Sequence, residues 1–162
     1  MPLSVSIRTV ELKAFFENPV FLSAIGSWFL AQLLKAVIVL LHSRRKSAQE
    51  IAVTLLWKTG GMPSSHSSLV TALATGVAIK DGIGSSIFIV TLCLALIVIR
   101  DSVGVRRSSG LQARSLNLLG RQTAEKLGLE YHSVKEIQGH APLEVLVGCL
   151  LGLFIAAAFA VL

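Results

Sequence analysis

The chain has 162 residues, 53% of them hydrophobic and 15% charged, with a mean hydropathy of +0.73 and a formal net charge of +6. A soluble domain ordinarily carries about 25% charged residues. The composition therefore excludes an ordinary water-soluble core and points to one membrane-embedded domain over residues 1–162. The positive charge is divided between two connections beside apolar stretches, which favours a topology signal over a nucleic-acid surface.

The first 18 residues mix Arg8 and Lys13 with Glu11 and Glu17 and do not read as a cleaved signal. Phe21–Leu41 is almost purely apolar and, at 21 residues, long enough to cross a bilayer. Inside it stand Gln32 and, one turn on, Lys35. A lysine within a span marks a functional site unless it snorkels to the interface. The connection over residues 42–62 holds Arg44, Arg45, Lys46 and Lys58 and runs into "GGMPSSHSS" at residues 60–68. Its glycines open turn conformations, Pro63 suits a first helical turn, and Ser64 or Ser65 suits a cap. This pattern predicts a helix N-terminus, where free N–H groups and the dipole bind anions, with His66 beside it as a proton donor. A serine-capped helix with an incidental histidine is the plainer alternative.

Residues 66–80 form the least apolar span, diluted by serines and threonines but rich in small residues that suit helix packing in lipid. Residues 83–99 form the next. "RDSVGVRRSSGLQAR" (Arg100–Arg114) follows, with adjacent Arg106 and Arg107 able to hold phosphate oxygens and Asp101 able to orient one of them. Arginines after a span also serve as topology anchors. Gln112–Lys126 reads as an amphipathic helix on the membrane surface. "GHAPLEVLVG" (Gly139–Gly148) opens the last span, residues 142–162. Glu144 stands four residues after His140, within reach of its ring. A carboxylate on one ring nitrogen leaves the other as nucleophile or base, although Glu144 also complements a helix dipole. Cys93 and Cys149 fall inside apolar spans and read as buried thiols, and no metal-ligand spacing occurs.

The expected fold is thus an all-α integral membrane protein of about four transmembrane helices, with connections over 42–62 and 100–139. Eleven lysines and arginines lie in those connections, against Arg8, Lys13 and Lys80 on the other side. The positive-inside rule places the connections in the cytoplasm and both termini outside. His66, Asp101, Arg106, Arg107 and His140 then share the cytoplasmic face, with Lys35 in the same half. Two histidines at helix starts, with cations and a paired carboxylate, suit phosphoryl transfer.

"PSSH" (Pro63–His66) and "HAPLEVLVG" (His140–Gly148) resemble the second and third signatures of the type-2 phosphatidic acid phosphatases, in the vanadium haloperoxidase-related superfamily. With "DSVGVRRSSGLQA" added, the three together resemble the small divergent branch of bacteria and plastids, from about Gln32 to Gly152. The resemblance implies a phospho-histidine at His140, supported by Glu144, with His66 as general acid and Ser64 and Ser65 against the phosphate. It implies no metal or other cofactor. The expected partners are a phosphorylated lipid and the bilayer of a bacterial plasma or plastid-type membrane, and a homo-oligomer is allowed for. The chain departs from the signatures at Ser65 (glycine), Glu144 (aspartate) and at Ser133–Val134, where the family has Ser-Arg. It also lacks Lys-x6-Arg-Pro, since His42 and Ser43 follow Lys35 at that spacing. Arg106 or Arg107, and Lys35 or its rival Lys58, are the candidates to replace the missing charges. A non-hydrolytic binder or carrier of phosphorylated lipid is the alternative function.

Overall fold

The computed structural model describes residues 3–42, 61–136 and 139–161. Arg44, Arg45, Lys46 and the rival lysine Lys58 lie outside the described residues. Within them all regular structure is helical: α1 Leu3–Phe16, α2 Pro19–His42, α3 Ser65–Asp81, α4 Ser86–Val103, α5 Val105–Leu127 and α6 Pro142–Val161.

Helix α1 has no counterpart among the expected elements. Its last turn brings Phe15 and Phe16 onto Phe21, with ring centroids 4.4 and 6.0 Å away. Asn18 then caps α2, its Oδ1 accepting from the Val20 amide at 3.0 Å with Pro19 in the first helical position. Pro63 lies just outside α3 rather than in its first turn, and Ser64 is the N-cap. Helix α4 starts three residues later than the hydropathy suggests. Ser85 caps it, accepting from the Phe88 amide at 3.2 Å while donating to the Gly82 carbonyl at 2.8 Å. The shift carries Arg100 and Asp101 into the last turns of α4. The expected surface helix begins seven residues early, at Val105, because Gly104 (φ −96°, ψ −83°) interrupts the helical run for one residue only. Most of the stretch 100–139 is therefore helix.

Among the described residues, three helical stretches rather than the expected four are long and apolar enough to cross a membrane: Pro19–Leu41, the run beginning at Ser86, and Pro142–Val161. Their packing inverts the polarity of a soluble bundle. Helix α2 buries Ser23, Ser27, Ala31, Gln32 and Lys35, and turns Leu22, Ile25, Phe29, Leu33 and Val37 outward. In water this would leave an untenable apolar surface; in lipid the outward leucines are solvated and small residues let backbones close up. Cys93 follows the same logic and is exposed rather than buried. The molecule is an all-helical integral membrane protein.

Helix α3 sits at the centre, against α2, α4 and α6. Its closest approach is to α6, where Gly148 and Gly152, four residues apart, face the Ser64 and Ser68 carbonyls. A Cβ at either glycine would collide with those oxygens. This small-xxx-small spacing is what tight helix pairing in a bilayer requires. On its other side the Ser68 hydroxyl donates to the Ser27 carbonyl at 3.3 Å. Such a bond contributes only about 0.6 kcal/mol in lipid, so close packing carries most of the association.

Contacts at both ends fix the helix directions. Gly76 meets Val20, and Gly26 meets Phe159. The Ser64 amide bonds to the Glu144 carbonyl, and the His140 amide to the Ser102 carbonyl. Helices α2 and α4 thus run toward one end of the bundle, where α3 and α6 begin.

Candidate functional site

That end gathers the polar residues the sequence singles out. Helix α3 opens on Ser64, whose hydroxyl lies 2.9 Å from the Ser67 hydroxyl and accepts from the Ser67 amide at 3.4 Å. Ser64, Ser65, Ser67 and Ser68 are all buried. The Ser64 hydroxyl is therefore engaged in the cap, and the amides of Ser65 and His66 stand at the open end of the helix. Just before it, Gly61 turns with φ 83°, a backbone open to glycine alone at little cost. The aliphatic stem of Lys35 lies beside it, where a side chain at Gly61 would meet it. Lys35 is only 2% exposed, so its ammonium is held inside the protein rather than snorkelled to its surface.

His140 precedes α6 and is 5% exposed. Its Nδ1 lies 2.9 Å from Glu144 Oε2, which also accepts from the Ala141 amide at 3.1 Å. Pro142 begins α6, so Glu144 falls in its first turn, one turn from the histidine. The carboxylate thereby fixes the ring and leaves Nε2 as the nitrogen for chemistry. The same glutamate's carbonyl accepts from the Ser64 amide at 2.9 Å. One residue thus orients His140 by its side chain and anchors the start of α3 by its backbone.

The third sequence stretch closes the cluster. The Ser102 carbonyl receives the His140 amide at 3.3 Å. Gly139 lies on the Arg107 backbone so closely that a Cβ there would overlap it. Asp101 pairs with Arg106 through Nε, both being partly exposed. His66, itself exposed, lies within electrostatic reach of Arg106, His140, Lys35 and Asp101. The structure thus brings His66, His140, Glu144, Lys35, Asp101, Arg106, Ser64 and Ser65 to one end of the bundle. Arg107 joins them through its backbone, with its side chain exposed. A cleft of about 940 Å³ opens beside the cluster at the α4–α5 elbow, lined by Ile99, Arg100, Val103 and Val105 among others.

Several positioning residues escape the sequence reading. Gly139 and Ser102 seat His140, and Gly148 and Gly152 set the α3–α6 distance. The G-x-x-x-G spacing of the latter pair was a legible signal. Asn117, buried in α5, is another. It donates to the Val134 carbonyl and to Glu136 Oε1 at 2.9 Å each, and accepts from the Val134 amide at 2.9 Å and the Tyr131 hydroxyl at 3.0 Å. It lashes residues 131–136 along α5, and this strap leads back to His140.

Comparison with known proteins bears on the family of the chain. The chain is 38% identical over 152 residues to a Bacillus subtilis (strain 168) protein described as "Uncharacterized membrane protein YuiD", covering 86% of this chain and 92% of that one. No solved structure matches it. The sequence pattern described as "Divergent PAP2 family" matches residues 16–155, a range that takes in every site residue above, and the chain belongs to that family.

Proposed function

We propose that this protein is a metal-independent membrane phosphatase acting on a phosphate monoester or diphosphate headgroup of a lipid. The observation that carries the reading is the pairing of buried His140 with half-buried Glu144, bonded at 2.9 Å and tied by backbone to the mouth of α3. Binding alone needs no oriented imidazole. In the reaction, Nε2 of His140 attacks phosphorus and the bond from phosphorus to the lipid oxygen breaks. His66 gives its proton to the leaving oxygen. Water then attacks the phospho-histidine and passes a proton to His66, inorganic phosphate leaves, and both histidines are restored. The α3 amides, Lys35 and Arg106 hold the phosphoryl oxygens.

Helix α3, 17 residues long and enclosed by the other three, serves as a fourth span of about 25 Å. The site faces the cytoplasm, both termini lie outside, and lipid tails remain in the bilayer. The candidate substrates are phosphatidylglycerophosphate, phosphatidic acid and isoprenoid phosphates or diphosphates, and those made on the cytoplasmic face, such as phosphatidylglycerophosphate or a prenyl phosphate, rank above recycled outer-leaflet carriers.

A non-hydrolytic binder or carrier of the same lipids is the second reading. On its side stand Val134, exposed on the strap where related enzymes have arginine, and Arg106, already paired with Asp101. The deciding measurement is phosphate release by purified protein in detergent with EDTA, across these lipids, beside His140→Ala and His66→Ala. Release that both substitutions abolish supports the phosphatase. Binding without release on every lipid overturns it in favour of the carrier.

A further inference from the structure

Among the described helices, α5 contacts α4 alone. Its small face, Ala113, Asn117, Gly120 and Ala124, is partly or fully buried, and the strap covers it at Asn117 and Gly120. A neighbouring stripe is left open. Leu111, Arg114, Leu118 and Arg121 follow one another at intervals of three and four residues, and all are exposed. Arg114 and Arg121, with Ser115, Asn117, Leu118 and Glu136, line a cleft of about 470 Å³. Glu136 accepts there from the Asn117 amide through Oε1 and adds one negative charge against the two arginines. Glu125, one turn beyond Arg121, ends the stripe.

We propose that this cleft is a second lipid site, one that takes the headgroup of an anionic phospholipid and seats α5 on the bilayer surface. Arg114 and Arg121 meet the phosphate, Ser115 adds a hydroxyl, and Leu111 and Leu118 enter the acyl layer beside it. The occupant follows from two observations. The stripe alternates apolar and cationic residues as an anionic interface demands, and α5 continues from a membrane-spanning helix after the single residue Gly104. None of its residues belongs to the histidine cluster, so the proposal stands apart from the phosphatase reading.

Hydrogen exchange of the full-length protein in nanodiscs tests it, with phosphatidylcholine alone or mixed with phosphatidylglycerol. Two arginines near an anionic surface are each worth about fivefold in binding, so the anionic lipid slows exchange over 111–121 by an order of magnitude. Arg114→Gln/Arg121→Gln removes that slowing, and unchanged exchange in α6 shows the variant to be folded. If the variant is misfolded, Leu118→Ser takes its place and is expected to weaken the slowing. Equal exchange in the two lipids overturns the proposal. So does slowing that survives the substitutions, slowing that inorganic phosphate reproduces in phosphatidylcholine, or slowing that follows the number of copies per disc.

Discussion

Glu144 is the residue on which the most geometry converges. Its side chain holds His140 and the Ala141 amide, while its carbonyl holds Ser64. Glu144→Gln keeps the size and an acceptor oxygen but removes the charge that, in the proposed mechanism, stabilises a protonated or phosphorylated ring. Turnover is expected to fall by about 10²-fold or more with little change in substrate binding, read as kcat against KM. Glu144→Asp, the residue of the wider superfamily, should retain more activity than Gln, and equal loss in both would assign the glutamate a packing role. Gly139→Ala makes a separate case. It removes no chemical group, yet its methyl must push on the Arg107 backbone and so displace His140. A displacement of about 1 Å is enough to reduce turnover by about 10²-fold. Wild-type rates in that variant would show that the loop absorbs the strain without moving the ring. The His140–Glu144 pairing was legible from its four-residue spacing, and His66 from its place at an expected helix start. Gly139 was not, because a close backbone approach leaves no mark on a sequence beyond the glycine itself.

At the scale of elements, α3 and α6 are held by shape more than by bonds. Gly152→Leu forces a side chain into the Ser68 carbonyl and the Ala72 amide, and is expected to lower the unfolding temperature and activity together. Gly152→Ala should fall between it and the wild type in a detergent melt. Asn117 offers a second test at this scale. Asn117→Ala removes the side-chain bonds that hold Val134 and Glu136 to α5, so the Val134 amide should exchange markedly faster while α6 amides keep their protection. A strap unaltered by that change would mean Tyr131 on Gly120 suffices to hold it. The extent of α5 was misjudged from sequence because Arg106, Arg107 and two serines read as a loop. A polar stretch forms helix readily once a preceding span nucleates it and only Gly104 intervenes.

For the whole molecule, the proposed orientation makes a labelling prediction. In sealed cells Lys13→Cys should react with a charged maleimide from outside, and Lys126→Cys only after the cytoplasm is opened. Cys93 and Cys149, inside α4 and α6, should stay unreactive in both states, since a charged reagent does not enter the acyl layer. The reverse pattern for the two introduced thiols would invert the topology and put the histidine cluster on the outer face. Either result leaves the fold intact, because the inverted burial of serines and leucines is indifferent to which leaflet is which.

The sequence by itself determined the class of molecule, the positions of the apolar spans to within a few residues, and the three polar stretches that open or close them. These depend on local composition and period, which each segment carries alone. That Lys35 is buried against Gly61, that Arg106 rather than Arg107 pairs with Asp101, and that Glu144 bridges His140 and Ser64 were decided by the tertiary structure. Each depends on how closely helices distant in the chain approach and with what rotation. In lipid that is set by where glycine and serine let backbones touch, a property of helix pairs that no single helix possesses.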